Sequence, residues 1–194
     1  MRWKTNRFGG VLLESECGNI AINGGGTLAE LEDAYIVDGK APAAMIVTCE
    51  HIHRSRNAVI FCREHRLPLI TTAACAERLN PAGIRTHLLT VPGNRFFLRW
   101  GLGVHFVPVR YDSAAPFGLI LHDGEALCGM IPDGRIYPRT AELLMDCDAI
   151  ILGNRLAVPA DATAALERRL RCVCHSQAEL NEVFRNYTGK IIYL

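Results

Sequence analysis

Short apolar runs of strand length alternate with amphipathic stretches along the first half of the chain. The apolar runs Phe8–Leu13 and Ile20–Asn23 flank a polar turn and predict a β-hairpin. A helix is predicted over Thr27–Val37, because Thr27 and Glu30 form a capping-box pattern ahead of a helical apolar stripe. The pattern continues as strand, helix, strand, helix over Met45–Thr48, Arg54–Arg66, Leu69–Thr71 and Thr72–Leu79.

Strand-like runs dominate the second half. They are Thr86–Val91, Phe96–Leu98, Val104–Val109, Leu119–Leu121, Ala126–Ile131, Ala149–Leu152, Arg171–His175 and Ile191–Leu194. Helices are predicted over Thr140–Met145, Ala162–Leu170 and Gln177–Tyr187, and the basic residues of the second of these form a solvated face. Because each of two β-rich halves is accompanied by helices that cover an apolar sheet face, the order predicts an α/β fold, a four-layer αββα sandwich.

Length and composition restrict the class of protein. A chain of 194 residues supports one well-cored domain, so a single domain over residues 1–194 is expected. The net charge of +1 does not indicate a nucleic-acid partner, and no apolar run reaches the roughly 20 residues of a membrane helix. Eight cysteines and no signal peptide over Met1–Gly10 predict reduced thiols in the cytoplasm.

Candidate chemistry is concentrated in the stretch Ala44–Ser55, where an apolar run ends in thiol, carboxylate and imidazole side chains. Cys49, His51 and His53 are spaced at alternate positions, which an extended or tightly turning backbone brings to one side. Imidazole and thiolate are common zinc ligands, so a metal site is one interpretation. The other is a strand end with two solvated histidines and a half-buried thiol.

Three glycines, Gly24, Gly25 and Gly26, follow the predicted hairpin. They permit a sharp open turn before the helix, and a phosphate cradle is one interpretation of such a turn. No G-K-[ST] sequence follows them, so a purely structural turn is the stronger interpretation.

The order of these landmarks resembles the metallo-β-lactamase superfamily, in particular its small phosphodiesterase and nuclease-like branch. The segment Thr48–Arg54 is similar to the family's T-H-x-H-x-D-H motif, and Ile22–Gly25 is similar to its I-D-x-G turn. Further similar segments are Pro68–Thr71, Tyr111–Gly118 (H-D-x-x-x-P-x-G in the family), Pro132–Gly134 (T-D-x-G) and Asp148–Asn154 (D-x-[IL]-[IL]-x-x-N). The resemblance extends from Phe8 to Leu194 and implies the four-layer fold of that family.

The departures from the family pattern concern the metal ligands. The resemblance places Cys49, His51, His53 and Arg54 where the family has His, His, Asp and His. Tyr111 stands at the position of a further histidine ligand, which leaves Cys49, His51 and the bridging Asp133 as the implied ligands of one metal ion. The family's last histidine follows the terminal strand; His175 replaces it only if the chain folds back to the site.

Two functions follow from this resemblance. The first is a metal-poor or metal-free protein that binds a small anionic molecule or a partner protein in the former active-site pocket. Its implied ligand-binding residues are Arg54, Tyr111, Asp112 and Asn154, with the Arg54 guanidinium offering two parallel hydrogen bonds to a phosphate or carboxylate.

The alternative is a hydrolase of a phosphodiester or other ester with a single zinc ion. Its ligands are Cys49, His51 and Asp133, and His53 and Asp133 are its catalytic residues, with His53 as general base. The expected cofactor is therefore none or one zinc ion. A third chemistry, with Cys49 as a nucleophile beside His51, also stays open.

Overall fold

Two β-sheets form the centre of the protein. The computed structural model describes residues 1–16, 18–79, 88–90, 96–99, 102–153 and 158–194. The first sheet contains, in spatial order, β1 (Arg2–Thr5), β2 (Val11–Ser15), β3 (Gly18–Ile22), β4 (Ala44–Ile46), β5 (Leu69–Thr71) and β6 (Leu88–Thr90). The second sheet has the order β11 (Arg135–Ile136), β8 (Leu102–Arg110), β9 (Phe117–His122), β10 (Leu127–Ile131), β12 (Ala149–Leu152) and β13 (Lys190–Tyr193), with β7 (Phe96–Arg99) paired to β8.

The strand connections follow the sequence pattern. β2 and β3 form the predicted antiparallel hairpin, in which Val11 lies opposite Ile22. β3, β4, β5 and β6 are parallel, so each connection between them crosses over the sheet. The helices of the described residues are α1 (Leu28–Tyr35), α2 (Ile52–Ser55), α3 (Ala58–Glu64), α4 (Ala73–Leu79), α5 (Pro138–Leu144), α6 (Ala164–Val173) and α7 (Gln177–Val183).

Apolar side chains pack in three layers between the elements. Because successive strand residues point to opposite faces, Val11 and Leu13 enter the core between the sheets while Leu12 packs against the helices outside. The outer face of the first sheet is covered by α1 and α3, and that of the second sheet by α5 and α7. The predicted α/β class and its four-layer αββα order are confirmed.

Capping side chains define the ends of two helices. Thr27 Oγ1 accepts a hydrogen bond from the N–H of Glu30, and Glu30 accepts one from the N–H of Thr27, so the predicted capping box is confirmed. Ser176 and Glu179 form a second box at the start of α7.

The boundaries differ from the predictions in several places. The prediction of a strand over Arg171–His175 is wrong. Helix α6 continues to Val173, and the N–H of Cys174 still donates to the carbonyl of Leu170. The predicted helix over Arg54–Arg66 is interrupted by Asn57, whose φ is +60°. Short strands β1 and β11 were not predicted, and their few residues carry little periodic signal.

Asn154 lies outside the described residues, as do both ends of the predicted strand Thr86–Val91. Among the helices that the structure describes, none is long and apolar enough to cross a membrane.

Candidate functional site

The backbone that leaves β4 is fixed by Asn23. Its side-chain oxygen accepts hydrogen bonds from the N–H of Thr48 at 2.9 Å and from the hydroxyl of Thr48 at 3.0 Å. Asn23 is fully buried at a φ of +63°, and its carbonyl accepts a hydrogen bond from the Tyr35 hydroxyl at 2.7 Å. An asparagine tolerates this left-handed backbone better than most residues do, so Asn23 suits this position of the turn.

The glycine turn packs directly against α2. The N–H of Gly24 donates to the carbonyl of Arg54 at 2.5 Å, and a Cβ added to Gly25 would collide with the carbonyl oxygen of His53. The glycines therefore allow two backbones to approach closely. This close packing is a structural reason for glycine in the turn. The N–H of Gly24 is already bonded to Arg54, so it is not free to hold a phosphate.

Arg54 is the most extensively bonded side chain of the site. A guanidinium has five N–H donors, and each one of Arg54 has an oxygen acceptor in the protein. Nε and Nη2 donate to the two carboxylate oxygens of Asp133 at 2.7 and 3.0 Å, which is a bidentate ion pair. The remaining three bonds, to the carbonyls of Phe8, Gly9 and Pro132, measure 2.9 to 3.0 Å.

This arrangement differs from the ligand-binding role predicted for Arg54. Its side chain is only 8% exposed, and it joins the Phe8–Gly9 loop to the Pro132–Asp133 turn. A ligand would have to displace one of the five protein acceptors to reach a donor. Because a buried, fully paired guanidinium has no free donor, Arg54 is positioned as an internal cation of the fold.

Two histidines stand beside this ion pair, each near a carboxylate. His53 Nε2 lies 3.7 Å from Asp133 Oδ1, and His51 Nε2 lies 3.9 Å from Asp112 Oδ1. The imidazole rings of His51 and His53 are stacked with centroids 5.8 Å apart, and Tyr111 contacts His51 edge-on at 5.0 Å. The structure thus brings together six of the residues predicted for the site: His51, His53, Arg54, Tyr111, Asp112 and Asp133.

Cys49 behaves differently from its neighbours. It is 1% exposed, and burial, followed by the nearby charge of Asp133, raises the pKa of its thiol. A thiol that resists deprotonation is a weak nucleophile.

The carboxylates near the site are also engaged. Burial alone would raise the pKa of Asp112, but its hydrogen bond and ion pair with Arg169 outweigh this and lower the pKa. Glu50 accepts hydrogen bonds from the Ser113 hydroxyl and from the N–H of Ala114, and these bonds lower its pKa against the effect of burial. Glu50 therefore fixes the loop that carries Asp112.

These side chains line a cleft of about 400 Å³. We call this the first cleft; it is lined by His51, Ile52, His53, Tyr111, Asp133, Arg169, Leu170, Val173 and Cys174. Its far wall is the C-terminal half of α6, and the pairing of Arg169 with Asp112 fixes one point of that wall. The sequence pattern predicted only a solvated face for the basic residues of this helix.

His175 does not enter the first cleft. It is 4% exposed, and its Nε2 accepts a hydrogen bond from the N–H of Ile136 at 2.8 Å. The preceding residue, Cys174, lines the cleft instead. Asn154, the remaining predicted site residue, lies outside the described residues.

The residues present do not fit a bound zinc ion. Both oxygens of Asp133 are bonded to the guanidinium of Arg54, whose permanent charge would repel a divalent cation at the same carboxylate. Over the described residues, no group of three or more His, Cys, Asp or Glu side chains is arranged to hold a metal ion. The predicted set of Cys49, His51 and Asp133 is consequently not assembled as ligands.

No family model and no curated protein matches this sequence. Solved structures do match. The chain is similar to the metallo-β-lactamase fold protein YhfI from Bacillus subtilis, with a TM-score of 0.65, 13% identity and coverage of 95% of this chain and 88% of that one. It is also similar to isothiocyanate hydrolase from Delia radicum gut bacteria, with a TM-score of 0.69, 12% identity and coverage of 100% and 84%.

A third similar structure is Zn²⁺-bound PqqB from Methylobacterium extorquens, with a TM-score of 0.61, 14% identity and coverage of 76% of this chain and 60% of that one. At such identities these similarities show the shared fold, and the chemistry of this chain has to be argued from its own residues.

Proposed function

We propose that this chain, which has the metallo-β-lactamase fold, binds a small anionic molecule in the first cleft and holds no metal ion at Asp133. The carrying observation is the bidentate pair between Arg54 and Asp133, with all five guanidinium donors engaged. The positive charge that a metal ion would supply at this carboxylate is supplied by the guanidinium.

Charge compensation in the first cleft supports an anionic ligand. Each of its two nearby aspartates is paired with an arginine, Asp133 with Arg54 and Asp112 with Arg169. No carboxylate charge is therefore left uncompensated to repel an anion at the described lining residues. The imidazoles of His51 and His53 and the hydroxyl of Tyr111 offer polar atoms around the ligand.

The competing function is a hydrolase with a single zinc ion. Structures of similar fold include a hydrolase and a Zn²⁺-bound protein. In this chain, however, both oxygens of Asp133 are engaged by Arg54, which removes one of the three ligands that such a site requires.

Metal analysis distinguishes the two functions. The protein is purified without a histidine tag, dialysed against excess zinc and then against buffer, and analysed by mass spectrometry for bound metal. We expect well under about 0.1 zinc per chain, because a site that lacks part of its ligand set binds zinc weakly. About one zinc per chain, lost in a Cys49→Ala variant, would overturn the proposal, and an Arg63→Met variant serves as the control.

A further inference from the structure

A second cleft lies on the other side of His53. It measures about 460 Å³ and is lined by Arg7, Phe8, Gly26, Thr27, Glu30, Ile52, His53 and Arg56. Ile52 and His53 line both clefts, so the two clefts are adjacent. Ile52 is 72% exposed, and the His53 side chain is 51% exposed. An apolar residue exposed to this degree between two concave surfaces is a suitable contact for a ligand that spans both.

The two clefts differ in charge. In the first cleft, Asp133 and Arg169 are each paired with an opposite charge, so its walls are close to neutral. In the second cleft, Arg7 is paired with Glu30 and stacks over the ring of Phe8 at 4.8 Å. Arg56 is exposed and makes no side-chain hydrogen bond or ion pair with a described residue. Among the described residues that line the second cleft, Arg56 therefore carries a positive charge with no opposite charge beside it.

The two clefts also offer different side chains to a ligand. The first cleft presents the ring of Tyr111 and the apolar side chains of Leu170 and Val173, which suit an aromatic or aliphatic group. Since all five donors of Arg54 are occupied, the nearest guanidinium with free donors on this backbone segment is Arg56, two residues further along.

We propose that the two clefts form one groove for an amphiphilic anion, whose phosphate- or phosphonate-like group binds Arg56 in the second cleft and whose ring or chain binds Tyr111 and Leu170 in the first. This inference rests on the proposed function, because a metal ion at Asp133 would change the charge of the first cleft. It also specifies that function, because it places the anionic group at Arg56 in the second cleft and not at Arg54.

Three probes and three variants test the groove in the full-length protein. Phenylphosphonate carries both groups, methylphosphonate carries the charge alone, and benzyl alcohol carries the ring alone. Binding is measured by isothermal titration calorimetry at low ionic strength, where attraction between exposed charges is least screened. We expect phenylphosphonate to bind more tightly than either of the other two probes.

The variants separate the two ends of the groove. Replacing a guanidinium that makes charge-assisted hydrogen bonds in a partly exposed site weakens binding about tenfold, so Arg56→Met weakens both phosphonates to this extent. Leu170→Ala weakens phenylphosphonate about threefold and leaves methylphosphonate unchanged, because it removes apolar contact only. Arg63→Met, an exposed arginine of α3 outside both clefts, is the matched control and leaves every affinity unchanged.

Three results would overturn the groove: no binding of phenylphosphonate by the wild type, equal affinity in the wild type and Arg56→Met, or an equal effect of Leu170→Ala on both phosphonates. Each of these can occur in protein that is free of metal, whereas zinc found in the metal analysis refutes the proposed function whatever the probes show. The two failures are thus distinguishable.

Discussion

Replacement of Arg54 by methionine removes the internal cation while keeping a side chain of comparable length. Asp133, whose side chain is 12% exposed, then loses both of its hydrogen bonds to the guanidinium, and three carbonyls lose a donor. Breaking a buried ion pair by removing one partner costs about 3–5 kcal/mol, because the other charge stays buried and uncompensated. This is a large fraction of the roughly 5–15 kcal/mol by which a protein of this kind is stable.

The assay is urea unfolding followed by circular dichroism, with thermal unfolding as a second measurement. We expect the melting temperature of Arg54→Met to fall by about 6–20 °C, from about 2–4 °C for each kcal/mol in a chain of this size. The melting temperature of Arg54→Lys is expected to lie between those of the wild type and Arg54→Met, since lysine keeps the charge but has three donors and no planar guanidinium. The double variant Arg54→Met/Asp133→Asn is expected to recover part of the loss, because it removes the unpaired charge as well.

Arg56→Met is the matched control, because Arg56 is two residues away, exposed and unpaired among the described residues. Its free energy of unfolding is expected to change by less than about 0.5 kcal/mol. The reasoning is refuted if Arg54→Met changes stability as little as Arg56→Met does, or if the double variant is as unstable as the two single losses added together.

Three further outcomes are expected. Gly9 and Gly39 both have a φ near +70°, but a Cβ at Gly9 would collide with the Arg54 guanidinium, whereas one at Gly39 would meet nothing within 4 Å. Gly9→Ala is thus expected to lower the unfolding free energy by about 1–3 kcal/mol more than Gly39→Ala does. Equal losses in urea unfolding would contradict this. Iodoacetamide is expected to modify the exposed Cys172 faster than the buried Cys49, as followed by peptide mass mapping. Faster labelling of Cys49, slowed by His51→Ala, would instead support the thiol chemistry. Burial, followed by the charge of Arg135, lowers the pKa of His175, so its neutral form is favoured in the folded protein, and stability is lost as the pH falls below the ordinary histidine pKa of about 6.5. Between pH 6.5 and 5, unfolding free energies are expected to fall more steeply in the wild type than in His175→Gln, and parallel curves would count against this assignment.

Local features of the fold were predictable from the sequence because each depends on residues close together in the chain. The capping box needs only Thr27 and Glu30, and the hairpin needs only the alternation around Val11–Ser15 and Gly18–Ile22. The order of such features was sufficient for the four-layer arrangement, since each sheet face has to be covered. The short strand β11 escaped prediction, because two residues carry no period.

The candidate site was predictable in position but not in its bonding. The Tyr111–Asp112 and Pro132–Asp133 segments do meet the His51–Arg54 turn, as the motif order indicated. The acceptors of Arg54, however, include main-chain oxygens 46 and 78 positions away in the sequence. Every residue has a main-chain carbonyl, so the residue types do not indicate which carbonyls will accept hydrogen bonds from an arginine. The sequence motif therefore could not show whether Arg54 binds a ligand or the protein itself.

Arg54 also gives a physical reason why binding and hydrolysis can be separated in this fold. A divalent metal ion and a guanidinium can each neutralise Asp133 and hold the surrounding loops together, but a metal ion retains an open position for water, whereas a guanidinium has none. An ion pair of this kind therefore keeps the loops of the first cleft in place while supplying no activated hydroxide. Since His51, His53 and Tyr111 are positioned by those same loops, the cleft retains its shape and its polar atoms. A guanidinium paired with Asp133 is thus compatible with a protein that uses this pocket for recognition.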